Sequence, residues 1–311
     1  MPLKPYIQIA RIDHWFKNVF ILPGIILALY ENQWHADNLL VPRLFLALLS
    51  IGCIASSNYV LNEIIDAPKD ALHPVKKHRP VPSGKINIKI AYVEWIVLAC
   101  CGIILALNLG KSFSFTMLAL WIMGCLYNIP PVRLKDKPYL DVLSESVNNP
   151  IRLLAGWYAV GMIRFPPISL TVAYWMLGAF FMAVKRFAEY RRINDAQIAA
   201  QYRDSFAYYN EQRLVISILY YAVAFGLCFG VFIIRYRLEL LLTIPLLAGF
   251  IGWYMNLGFL PDSPAQYPEQ LYKQRSFVLY VLICALTMLI LFRFNIPVLY
   301  TIFHPTLRLP H

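Results

Sequence analysis

Charge is scarce in this chain. Asp, Glu, Lys and Arg make up only 14% of its 311 residues, against 59% hydrophobic residues and a mean hydropathy of +0.56. That balance excludes an ordinary soluble globular protein. Gly/Ser linkers, low-complexity tracts and soluble-domain stretches are missing too, so residues 1–311 read as a single domain. The six histidines are scattered over loops and termini and no G-x-S-x-G or H-E-x-x-H run occurs, so nucleophilic-serine and zinc-protease chemistry has no basis here. All six cysteines fall in apolar runs without ligand spacing and read as small buried hydrophobes. A cleavable leader is not expected, because the first apolar run follows Trp15 and Lys17 and carries no small-x-small site.

What the chain has is apolar runs of bilayer length, about 20 residues each. Nine are predicted, at 16–31, 42–65, 90–109, 113–131, 139–162, 166–188, 214–234, 238–260 and 277–298. The expected fold is an all-α membrane protein, a bundle of nine transmembrane helices. With the N-terminus placed in the cytoplasm, 20 of the 28 basic residues fall on the cytoplasmic side, as the positive-inside rule requires. The longest loops, 70–88, 189–213 and 261–276, lie on that same side and predict a cytoplasmic-facing cap over one working mouth. The expected location is the cell inner membrane. The formal net charge of +11 reflects this topology and attraction to anionic membrane lipids, not nucleic-acid binding.

Two segments place acidic or amide side chains four residues apart at helix ends: Asn62, Asp66 and Asp70, and Asp141, Glu145 and Asn149. An i, i+4, i+8 series stays on one helix face, with neighbours roughly 6 Å apart along the axis. Ionisable groups at membrane depth are costly and mark functional sites. Hard oxygen ligands of this kind suit Mg²⁺, which takes one or two carboxylates and completes its shell with water and substrate phosphate. The predicted metal set is Asn62, Asp66, Asp70, Asp141 and Glu145. Lys76, Lys77 and Arg79 follow the first trio, and Arg152 projects from the helix of the second, where a guanidinium can grip phosphate in two-point fashion. In Lys185-Arg186-Phe187-Ala188-Glu189, Lys185 is expected either to reach the site or to pair with Glu189 one turn on. Glu94 has no spaced partner and is expected to make a structural hydrogen bond.

Asn62-x3-Asp66-x3-Asp70, the run His73-Pro74-Val75-Lys76-Lys77-His78-Arg79-Pro80, Ser83-Gly84 and the stretch from Tyr127 to Asp141 together resemble the UbiA superfamily of intramembrane prenyltransferases. Arg11 to Asn18, the His-Pro-x-Lys-x-His-Arg-Pro run and Lys185-Arg186-x-x-Glu189 are most similar to its decaprenyl-phosphate phosphoribosyltransferase branch. The pattern departs twice. Glu63 follows Asn62 where Asp is usual, and Asn148-Asn149-Pro150-Ile151 stands where a Gly-Phe pair precedes the arginine.

The resemblance implies Mg²⁺-diphosphate binding by Asn62, Asp66, Asp70 and Asp141, phosphate contacts by Lys76, Arg79, Lys135 and Arg152, and Asp66, Asp70, Asp141 and Lys135 as the reaction's core. Asn149 and Glu145 would line the substrate side. It implies a polyisoprenoid lipid and a diphosphate-bearing donor as partners. Two reactions stay open: phosphoribosyl transfer to a polyprenyl phosphate, and prenyl transfer from a polyprenyl diphosphate to an aromatic or other small acceptor. A secondary transporter is the reading from another class. It would require broken helices carrying polar groups at the bilayer midplane in matched halves, whereas here the polar clusters gather at one face.

Overall fold

A computed structural model describes residues 3–35, 37–71 and 76–304 of the chain. His73, Pro74, Val75, Arg308 and His311 lie outside the described residues. Among those described, every regular element is helical, as expected for backbone that must satisfy its own hydrogen bonds in lipid. The chain forms two compact units, Met1–Pro166 and Pro167–His311.

The first unit holds α1 (Lys4–Ile9), a 3-10 stretch (Ile12–Ile21), α2 (Leu22–Glu31), α3 (Leu40–Asp70), α4 (Ile88–Leu107), α5 (Lys111–Asn128), α6 (Leu140–Ser146) and α7 (Asn148–Ala159). α3 is its axis, packing against α4, α5 and α7. Its 31 residues span about 46 Å at 1.5 Å per residue, well beyond a hydrocarbon core of roughly 30 Å. The core between these helices is mostly aliphatic, with Ile21, Ile25, Ala47, Ile51, Ile54, Met117, Ile151 and Ala155 packed around the buried Phe113. α2 and α7 meet backbone to backbone. A Cβ on Gly24 would lie 1.9 Å from the Leu153 carbonyl oxygen, and one on Gly156 would lie 2.1 Å from that of Ile21. Paired glycines allow such a crossing, the usual way helices approach closely in membranes.

The second unit holds α8 (Ile168–Ile193), α9 (Ala196–Tyr202), α10 (Glu211–Tyr236), α11 (Ile244–Phe259), α12 (Arg275–Arg293) and α13 (Pro297–Ile302). α8 and α10 form its main pair. Phe180, Phe181, Phe250, Tyr254 and Phe277 stack between α8, α11 and α12. Glu239, fully buried, accepts from the Ile296 amide and the Tyr300 hydroxyl and pairs with Arg237.

Seven helical stretches, not nine, are long and apolar enough to cross a membrane among the described residues: Lys4–Glu31, α3, α4, α8, α10, Leu238–Phe259 and α12. The protein is an integral membrane protein. The predicted span 139–162 is interrupted at Val147, between α6 and α7. Pro150 has no N–H for the Ser146 carbonyl, and Ser146 and Asn148 turn their side chains back onto the Leu143 and Glu145 carbonyls. The predicted first span begins as a 3-10 stretch. Cys100 and Cys101, expected inside, are exposed on α4. Glu94 also differs from expectation: its Oε2 is buried without a hydrogen bond.

Candidate active site

The last turns of α3 present Asn58, Asn62, Asp66 and Asp70 in a ladder of four-residue steps. Asn58 and Asn62 both reach α5. Asn58 donates to the Leu120 carbonyl at 3.0 Å, with its amide laid over Gly124, where a Cβ would clash at 2.1 Å. Asn62 donates to Asn128 Oδ1 at 2.6 Å and to Asp66 Oδ2 at 3.1 Å.

Asp66 is gripped from the loop after α5. Arg133 adopts a left-handed backbone (φ 30°), which turns the chain so that Arg133 and Lys135 reach the same carboxylate oxygen. Lys135 Nζ lies 2.6 Å and Arg133 Nη2 3.0 Å from Asp66 Oδ1. Lys135 also donates to Asn128 Oδ1 at 2.9 Å, and Arg133 Nε donates to Asp136 at 2.6 Å. Burial pulls the Lys135 ammonium down to about 8, with Asp66 opposing that shift. Asp70, one turn on, holds Arg79 at 2.6 Å and Lys76 at 3.8 Å. Two carboxylates thus collect four cations.

The second trio joins through Tyr127. Its hydroxyl donates to Glu145 Oε2 at 3.2 Å and its ring centroid lies 5.9 Å from Lys135 Nζ. Asp141 is wholly buried in the first turn of α6, and Arg152 is buried on α7. Arg11 sits over the Tyr59 ring at 5.6 Å. Asn149 is half-buried at the start of α7. The first unit therefore gathers Asn62, Asp66, Lys76, Arg79 and Asp70 at one end of α3, with Lys135 and Glu145 connected through Asn128 and Tyr127.

Lys185 is half-buried on α8 in the second unit. It does not hold Glu189. Arg186, 1% exposed, takes that carboxylate at 3.1 Å, because an i, i+3 neighbour also faces it and a buried guanidinium cannot stay unpaired.

Four participants carried no signal in the spacing pattern. Asn128 is an uncharged amide at a helix end. Arg133 reads as one of several loop cations. Tyr127 reads as one aromatic among many. Glu63, where the pattern departs, is almost fully buried and faces away from the ladder, accepting from the Val81 amide at 3.2 Å and pairing with Arg11 at 3.5 Å.

The donor set fits Mg²⁺. It consists of hard carboxylate and amide oxygens. Among the described residues no three His, Cys, Asp or Glu side chains converge on one point, so each ion would take one or two protein carboxylates and find its other ligands in water and substrate, the usual Mg²⁺ arrangement.

The model of the UbiA prenyltransferase family matches residues 19–282. The chain belongs to the UbiA prenyltransferase family. Among its relatives, the decaprenyl-phosphate phosphoribosyltransferase of Mycolicibacterium smegmatis is 26% identical over 250 residues, 80% of this chain and 76% of that one. The nodulation protein NoeC of Azorhizobium caulinodans is 28% identical over 195 residues, 63% of this chain. The chain covers 58% of NoeC and 31% of protein y4nM of Sinorhizobium fredii, less than two thirds of each. The UbiA fold itself is matched by the structure of a UbiA homolog from Archaeoglobus fulgidus bound to DMAPP and Mg²⁺, with a TM-score of 0.69 at 19% identity over 92% of this chain and 97% of that one.

Proposed function

We propose that this chain is a Mg²⁺-dependent transferase, working as one UbiA-like domain over residues 1–311, that acts on a polyisoprenoid substrate with diphosphate as the leaving group. The observation carrying this reading is the collection of Lys76, Arg79, Arg133 and Lys135 on Asp66 and Asp70. A diphosphate accompanied by metal offers both partners an exchange. The carboxylates would hold the metal and the cations would pair with phosphate oxygens.

Asn62, Asp66, Asp70, Asp141 and Glu145 would hold Mg²⁺, which when bound neutralises charge on the departing diphosphate. Lys135, Lys76, Arg79 and Arg152 stabilise the same developing charge as preorganised donors. Asn149 lines the substrate side, and Lys185 is assigned to substrate contact. The buried surroundings of Asp141 and Arg152 keep water from the cationic fragment.

For the donor, phosphoribosyl diphosphate is the first choice. The C1–O bond to diphosphate breaks, its electron pair leaves with the diphosphate, and an oxygen of a polyprenyl phosphate forms the new C1–O bond. The high density of cations supports it, since a 5-phosphate and an acceptor phosphate need partners as well. The phosphoribosyltransferase relative, matching 80% of this chain, supports it too. Prenyl transfer to a small acceptor is the second reading, favoured by Tyr59 and Tyr127 among the cations, where aromatic faces can shield an allylic cation.

The arrangement of basic residues supports a cytoplasmic N-terminus and site mouth in the cell inner membrane. α5 and the interrupted α6–α7 pair would complete nine crossings.

The test is diphosphate release by purified protein with Mg²⁺. Release with phosphoribosyl diphosphate and a polyprenyl phosphate establishes the first reading. Release only with polyprenyl diphosphate and phenolic acceptors establishes the second. Silence in both removes these substrates.

A further inference from the structure

We infer that Asn128 is a positioning residue that fixes which atom of Asn62 faces the metal-diphosphate site; this rests on the transferase reading above. Asn128 is 3% exposed and every polar atom of its side chain is committed. Its Nδ2 donates to the Gly124 carbonyl at 2.9 Å. A carbonyl can only accept, so that end of the amide is the NH2 group. Its Oδ1 faces Lys135 Nζ at 2.9 Å. An ammonium can only donate, so that end is oxygen. Two independent partners therefore set the same amide orientation, and neither is adjustable.

The orientation passes to Asn62. The atom of Asn62 facing Asn128 Oδ1 at 2.6 Å must be a donor, and the second hydrogen of that nitrogen is spent on Asp66 Oδ2 at 3.1 Å. Asn62 thereby keeps Oδ1 as its one uncommitted polar atom. A neutral carbonyl oxygen is a Mg²⁺ ligand, whereas an NH2 group in its place would repel the ion. Rotation of Asn62 by half a turn would put two oxygens face to face at hydrogen-bond distance and strand a donor in the metal's place. The same Asn128 oxygen holds Lys135 against Asp66, so one side chain sets one ligand and one phosphate partner.

The test is Mn²⁺ binding by electron paramagnetic resonance to the full chain in detergent, with inorganic diphosphate present. Asn128→Leu should weaken Mn²⁺ about ten- to hundredfold, as loss of a residue orienting a ligand typically does. The deciding arm is Asn62→Asp, whose two terminal atoms are both oxygen, so that side-chain rotation no longer matters. In that background the effect of Asn128→Leu should shrink to about threefold or less. Equal effects in both backgrounds would make Asn128 a packing residue and overturn the inference, as would unchanged affinity in Asn128→Leu. Should the leucine variant not elute as a single species, Asn128→Ala takes its place in the same cycle. Failure of wild type to bind Mn²⁺ with diphosphate would overturn the transferase reading as well, which separates the two.

Discussion

The Tyr127 hydroxyl donates to Glu145 across 3.2 Å, tying the end of α5 to α6. Because the same ring lies near the Lys135 ammonium, this one side chain spans the two acidic groups. Tyr127→Phe keeps the ring and removes the tie. Diphosphate release should fall about tenfold, since misplacement of a positioned group is expensive, while thermal stability should drop by only about 1 kcal/mol. Steady-state release and a melting curve read both. Unchanged turnover would show that Glu145 needs no tether.

Asp66 and Asp70 should be equally necessary and unequally structural. Either change to Ala should lower Mg²⁺-dependent release more than a hundredfold, a loss of about 3 kcal/mol in the barrier. Asp66→Ala additionally strands the buried Lys135, 6% exposed, and should destabilise the chain by about 3 kcal/mol. Asp70 pairs with Arg79 and Lys76, both about 30% exposed, so its loss should cost about 1 kcal/mol or less. Melting curves in detergent that show the two variants equally stable would contradict the burial argument.

Glu63→Gln and Glu63→Ala should part ways. Glutamine keeps an acceptor for the Val81 amide and should leave the apparent KM for the donor within about twofold of wild type. Alanine frees the loop that carries Arg79, two residues before Val81, and should raise that KM about tenfold with a smaller effect on kcat. A kcat defect alone would place Glu63 in the chemistry.

Gly24→Ala and Gly156→Ala test the crossing of α2 and α7. Each adds a methyl inside contact distance of a rigid carbonyl, and the expected cost is about 3 kcal/mol. Loss of monodisperse protein on size exclusion is the expected outcome for either. Normal yield from both would mean the helices can separate without harm.

The sequence displayed the ladder on α3 and its cations because both depend on short-range periodicity. Asn62, Asp66 and Asp70 share a face by helical geometry alone, and Lys76 and Arg79 follow within one loop. Arg133 was not legible as a partner of Asp66 because the two lie 67 residues apart and only the left-handed turn at Arg133 brings them together. Asn128 escaped notice because an amide without charge resembles any helix-end residue until its partners are seen. The interruption at Val147 was signalled by Pro150, but a hydropathy run averages over one proline and reads through it. Arg186 and Lys185 are adjacent, and which of them meets Glu189 depends on which one is buried.

With four cations on Asp66 and Asp70, both carboxylates of the resting protein are already paired and the cluster carries surplus positive charge. A metal ion arriving alone must evict ammonium and guanidinium groups that then face one another, and a diphosphate arriving alone must strip the carboxylates bare. Each ligand by itself meets a closed door, and the two together open it. Affinity for either one should therefore rise with the concentration of the other, in reciprocal measure.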